Sequence, residues 1–186
     1  WDGVLKLARQ LVKRDALPLE VVSEVRTQAH LGNIAKRVAD EGKLTSYLRA
    51  VPEDERGRRV VLAAAKALFA QGGEAEAQKL IESVLDAKNG EWQPDLVAIY
   101  GRLSGGDQTA RIAKAEAWLR GHPDDARLLK ALGRMCQRQR LWGKAQSYLE
   151  ASLAVEPTQQ AHLELARLFD HLARPEDANK HYRASA

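Results

Sequence analysis

A single cysteine, Cys136, occurs in 186 residues, which excludes an internal disulfide and a cysteine-rich metal site. No apolar run approaches the roughly 20 residues that a membrane-spanning helix requires. Aromatic residues make up only 5% of the chain. The β-branched pairs Val21-Val22 and Val60-Val61 sit inside stretches of helix formers, so a sheet has little to build on. Neither Gly72-Gly73 nor Gly105-Gly106 extends to the G-x-G-x-x-G of a dinucleotide site. A phosphate loop, a paired-histidine zinc spacing and a nucleophile elbow are missing too. No catalytic residue is nominated, and the chain reads as a binding protein rather than an enzyme. The net charge is only +4, without the dense basic cluster of a nucleic-acid binder, so no nucleic-acid partner is expected.

What the chain does contain is helix-forming text: Ala, Leu, Arg, Glu, Lys and Gln recur throughout. Gly72-Gly73, Gly105-Gly106, Gly121-His122-Pro123 and Glu156-Pro157 punctuate it. The pattern predicts helices near 2–14, 18–41, 43–51, 53–71, 74–87, 93–103, 107–120, 125–139, 142–154, 159–172 and 175–185.

A repeat runs through these helices. Gly133 and Ala145 are twelve residues apart, as are Ala65 and Ala77, and Ala166 and Ala178. Leu129, Leu132, Cys136, Leu149, Ser152 and Pro157 fill the remaining positions of the clearest unit, which follows the tetratricopeptide pattern of large and small residues. Small residues let the two helices of a hairpin approach closely, and large ones fill the space between hairpins, so the units stack. Gly101, with Ala113 twelve residues on, stands for the irregular unit in between. The expected fold is all-α: a tetratricopeptide-repeat solenoid of antiparallel helix hairpins. Residues 1–52 form degenerate N-terminal helices including one long helix, residues 53–186 form about four hairpins, and the whole makes one continuous array.

The segment Leu141-Trp142-Gly143-Lys144-Ala145, continued by Tyr148-Leu149-Glu150 and Ser152-Leu153, resembles the C-terminal repeat domain of the bacterial HemY proteins. Asp95-Leu96-Val97 with Tyr100-Gly101, Trp118-Leu119, His122-Pro123-Asp124-Asp125, Leu128-Leu129 and Leu132-Gly133-Arg134 match in the same way. The resemblance runs from residue 58 to the end and more loosely before it. It implies an inner-membrane protein associated with late haem biosynthesis, anchored by an N-terminal segment outside this chain, with its repeat domain on the cytoplasmic face. A chain that starts at Trp1 corresponds to that domain. The implied partners are proteins: enzymes of the haem pathway, or acidic peptide segments. Unrelated flavoenzymes that oxidise protoporphyrinogen share the family's name, and the missing dinucleotide fingerprint separates this chain from them.

The candidate binding residues are cations. A basic residue follows the small residue of each unit: Lys66, Arg102, Arg134 and Arg167. Arg127, Lys130, Arg134 and Arg138 are spaced to share one helix face, and Arg59 lies two turns before Lys66. The unit from Ala126 to Thr158 carries six Lys or Arg and two Asp or Glu, a net +4 that equals the charge of the whole chain. On a concave wall these groups would focus an attractive field on an acidic segment, and arginine forks suit carboxylates. The bland reading of the same residues is a solvated basic face. The Asn-Lys clamp that other repeat proteins use for chaperone tails is not matched, since Ala131 and Gln137 stand in its neighbourhood.

No cofactor is expected, with haem as the alternative. In that reading the domain is a porphyrin carrier, its cations hold propionates, and His171 is the haem contact. His162 reads as a packing residue and His122 as a turn residue, while His30 and His181 read as ordinary surface or partly buried residues. Cys136 reads as a buried apolar group. Glu53-Asp54-Glu55 and Asp124-Asp125 read as helix caps.

Overall fold

The computed structural model describes residues 1–14, 17–87 and 91–186. Among them are eleven α-helices and no strand. They are α1 (Asp2–Lys13), α2 (Leu19–Arg37), α3 (Glu41–Ala50), α4 (Arg58–Ala70), α5 (Glu74–Leu85), α6 (Pro94–Tyr100), α7 (Gln108–Leu119), α8 (Ala126–Arg138), α9 (Trp142–Val155), α10 (Gln159–His171) and α11 (Pro175–Ala184). None of the described helices is long and apolar enough to cross a membrane. They form two compact units, Trp1–Gln93 and Pro94–Ala186. Residue 52 therefore lies inside the first unit.

Local signals start and stop the helices. Asp40, Asp107, Asp125 and Thr158 each accept a backbone N–H of the first turn that follows. Asp125 is thus the cap of the expected acidic pair. The stretch 53–71 is not one helix: a 3-10 turn at Glu53–Glu55 precedes α4, with Arg56 and Gly57 between them.

In the first unit α2 packs against α1, α3 and α4, and α4 pairs with α5. Gln71, which ends α4, donates to the carbonyls of Arg37 and Val38 and so satisfies the open end of α2. In the second unit α8 packs against α6, α7 and α9, and α10 against α9 and α11.

Three hairpins close with the same turn. Gly73 donates to the Leu68 carbonyl at 2.9 Å, Leu141 to Cys136 at 2.9 Å and Arg174 to Phe169 at 2.8 Å. Each is the long bond of a Schellman motif, which needs one left-handed residue. Gly72 (φ 81°), Arg140 (56°) and Ala173 (54°) supply it, and Gly106 (73°) bends the loop between α6 and α7. These four positions lie 34, 34 and 33 residues apart, so the repeat period passes without a break through its irregular member.

That register relocates the middle unit. The small pairs Ala65/Ala77, Gly133/Ala145 and Ala166/Ala178 are all in the core, each alanine at most 1% exposed. Thirty-four residues after Ala65 and Ala77 stand Ile99 and Arg111, both large and both buried. Gly101 and Ala113 are not the small pair of this unit, and Ala113 is exposed. Here α6 stops at Tyr100 after seven residues. Side chains fill the gap: the Tyr100 and Trp118 rings meet at 4.8 Å, and the Arg111 guanidinium lies over Tyr100 and donates to the carbonyls of Leu103 and Gly105. Gly101 serves a different contact, the approach of α6 to α8, where an added Cβ would meet Ala131 at 2.5 Å.

Candidate partner-binding surface

The cations on α8 are held in place by the neighbouring helices. Arg127 pairs with Asp95 of α6, and Arg138 donates to the carbonyls of Gly101 at 2.7 Å and Leu103 at 2.6 Å. These two reach back. Lys130 and Arg134 reach forward to α10: Lys130 to Gln160 at 3.1 Å, and Arg134 to Glu164 through Nε at 3.1 Å and Nη2 at 2.5 Å. Burial, with Arg134 and Arg127 nearby, lowers the Lys130 ammonium below its ordinary range. Glu164 is itself buried, so its charge is matched by Arg134 as a buried carboxylate requires. The face is a lattice of cations with acids and carbonyls between them, not a bare positive wall.

The other ladder residues sit further out. Lys66 and Arg167 are exposed, and neither forms an ion pair with the described residues. By register Lys66, Arg134 and Arg167 occupy one position of successive units, and Tyr100 occupies it in the middle unit. Arg102 is two residues off, exposed in the turn that follows α6. Arg59 pairs with Glu24 of α2 at 2.8 Å.

His171 is exposed and its ring packs on Trp142 at 4.6 Å. His162 and His181 face one another, Nδ1 to Nδ1 at 2.9 Å, and burial together with the neighbouring His162 ring lowers His181. No group of three or more His, Cys, Asp or Glu among the described residues is arranged to hold a metal. Cys136 is fully buried, and burial pushes its thiol up to about 11.

A second cluster, in the first unit, has no counterpart in the ladder. Glu55 is buried and gathers residues from three helices. Arg9 of α1 donates to its two oxygens at 3.0 and 2.8 Å. His30 of α2 meets it through Nε2 at 2.9 Å, and Arg26 lies at 3.6 Å. His30 Nδ1 in turn meets the Tyr47 hydroxyl of α3 at 2.7 Å. The hydrogen bonds from Arg9 dominate and hold the Glu55 carboxyl down at about 2. Glu55 is therefore the hub of a buried network, not a helix cap. Its sequence signal is weak, since an acid that starts a helical stretch reads as a dipole partner. Beside this network opens a cleft of about 410 Å³, lined on α1 by Asp2, Leu5, Lys6, Arg9, Gln10 and Lys13, and closed by His30, Tyr47, Ala50 and Val51.

No protein-family model and no curated protein matches the sequence. Solved structures do match. The tetratricopeptide-repeat protein TTC0263 of Thermus thermophilus superposes with a TM-score of 0.63 at 18% identity, over 86% of this chain and 89% of that one. MamA from Desulfovibrio magneticus RS-1 gives 0.55 at 13% identity, over 86% and 93%. MamA AMB-1 gives 0.51 at 14%, over 89% and 91%. At such identities the likeness is one of fold. With the recurring Schellman turns and buried small pairs, it makes this an all-α structure of the tetratricopeptide-repeat type.

Proposed function

We propose that the chain is a non-enzymatic scaffold for protein partners, with Lys66 as a docking residue of the first unit and, separately, Arg134 and Arg167 as docking residues of the second. The observation that carries this is their register: a basic residue at one repeat position, with two of the three exposed and without an ion pair among the described residues. An exposed arginine or lysine is a point of attachment for a carboxylate of an acidic segment. The resemblance at Leu141–Ala145 narrows the reading to the repeat domain of an inner-membrane HemY protein, facing the cytoplasm and gathering enzymes of late haem synthesis. Membrane attachment then comes from a segment outside this chain.

Affinity capture from bacterial membrane extracts tests it, with wild type beside Lys66→Glu/Arg167→Glu. These two are the informative variants, because Arg134 and Arg138 also hold neighbouring helices and their loss would confuse folding with binding. Haem-pathway enzymes retained by wild type and lost by the variant are the expected result. The same enzymes on both would move the docking residues elsewhere. None on either would remove the haem assignment, and a haem titration without a Soret shift would then remove the carrier reading with His171 as well.

A further inference from the structure

We propose that the cleft between α1, α2 and α3 is a second, separate docking site, which takes an acidic peptide segment bearing an apolar side chain. It does not rest on the ladder, which it shares no residue with.

Its charge is unbalanced. Lys6, Arg9 and Lys13 lie three and four residues apart and line the same cleft, as one face of a helix should. Lys6 and Lys13 are exposed and form no ion pair with the described residues. Three acids lie close by: Asp54 acts on Arg9 from outside the cleft lining, and the two others are already taken. Asp2 accepts from Asn33 at 2.9 Å and from Arg37 at 3.4 Å. Glu55 is saturated by Arg9, His30 and Arg26. Arg9 is fixed by two bonds to Glu55, yet its side chain remains 45% exposed. Positioned cations of this kind lower the ordering cost of binding a carboxylate.

The lining is also apolar: Leu5, Ala50, Val51 and Tyr47 line the same cleft as the three cations. The volume, about 410 Å³, suits an anchoring side chain with its flanking backbone and not a folded domain. Cations and apolar side chains lining one cleft specify the occupant: a peptide with carboxylates on either side of a Leu-like residue. The buried Glu55 network stabilises the walls, since α1, α2 and α3 all contribute to it.

Fluorescence anisotropy on the whole 186-residue chain tests this with three fluorescein-labelled peptides: alternating Glu and Leu, Glu alone, and alternating Lys and Leu. The Glu-Leu peptide should bind best, and less tightly at high salt. Lys6→Glu/Lys13→Glu should weaken it by about tenfold or more, while helical circular dichroism and the melting temperature stay at wild-type values, because both side chains are exposed. Lys66→Glu/Arg167→Glu should leave it unchanged, so the cleft and the ladder fail separately. Three outcomes overturn the proposal: no binding of the Glu-Leu peptide by wild type, equal binding by Lys6→Glu/Lys13→Glu, or loss of binding in the ladder variant alone. Tighter binding of a labelled single-stranded oligonucleotide than of the peptide would assign the cleft to phosphate and overturn it too.

Discussion

Arg111 and Arg138 converge on one carbonyl oxygen, that of Leu103, from α7 at 2.9 Å and from α8 at 2.6 Å. The chain between α6 and α7 exposes backbone acceptors that a longer α6 would have satisfied. The two guanidiniums take over that task, and Arg111 is only 1% exposed while doing so. Arg111→Ala restores the residue type of the other units but not the missing helical turn. It should lower unfolding stability by about 2–3 kcal/mol, since buried acceptors lose charged donors. Arg111→Lys should recover only part of this, because an ammonium cannot bridge Leu103 and Gly105 as a fork does. Urea denaturation of the three proteins decides the matter, and an unchanged midpoint for Arg111→Ala would rule out the bracing role.

The helices and most close-approach positions were legible in the sequence because they depend on residue size at a fixed period. Ala65, Ala77, Gly133, Ala145, Ala166 and Ala178 show this. The middle unit was not, because its close approach is replaced by Ile99, Arg111, Tyr100 and Trp118, and no small residue records it. Gly101 is small, yet its smallness serves Ala131 in the next hairpin. The cationic ladder was legible as spacing, but the partners of Arg127, Arg134 and Arg138 lie about thirty residues away in sequence and no local pattern announces them. Glu55 was hidden for the same reason.

Arg140 and Ala173 occupy left-handed backbone positions that glycine fills at Gly72. Both are exposed, so their side chains have little packing to lose. Arg140→Gly and Ala173→Gly should each stabilise the protein, by about 0.5–1 kcal/mol, as relief of the Cβ clash outweighs the added entropy of the unfolded chain. Gly72→Ala should have the opposite sign. Equilibrium unfolding in urea checks all three, and destabilisation by Arg140→Gly would show that its side chain contributes more than its backbone costs.

Glu55 links stability to acid. Its folded carboxyl titrates at about 2, below its ordinary value of 4.5. The depressed value means that the folded state binds this proton less readily than the unfolded chain. The contribution is therefore fully present above about pH 5 and is lost as the pH falls from there through about 2. It should amount to roughly 2–3 kcal/mol. Glu55→Gln should be less stable than wild type at neutral pH, and the gap should close as both are acidified. Thermal melts across that range provide the check, and parallel curves for the two proteins would show that Glu55 is not the linked group.

Gly101 and Gly133 are both closely packed glycines, but against different kinds of atom. A Cβ on Gly101 would meet the Ala131 Cβ at 2.5 Å and its Cα at 2.8 Å. The second of these is backbone, and α8 would have to move away from α6 to accommodate it. A Cβ on Gly133 would meet the buried Leu149 side chain, Cγ at 2.6 Å and Cδ2 at 2.8 Å, with the nearest backbone atom, the Ala145 carbonyl oxygen, at 3.4 Å, so the shift it demands is mainly of a side chain. Alanine at 133 also gains helix propensity, which offsets part of the overlap, whereas Gly101 lies in the turn after α6 and gains none. Gly101→Ala should therefore be the more damaging change, by about 1–3 kcal/mol, and Gly133→Ala the milder one. The Arg138 bonds to the Gly101 and Leu103 carbonyls depend on the same approach. Amide exchange in α8 should rise in Gly101→Ala at 134–138 ahead of the rest of the helix. Equal stability of the two variants would show that α6 and α8 are loosely enough coupled to separate at no cost.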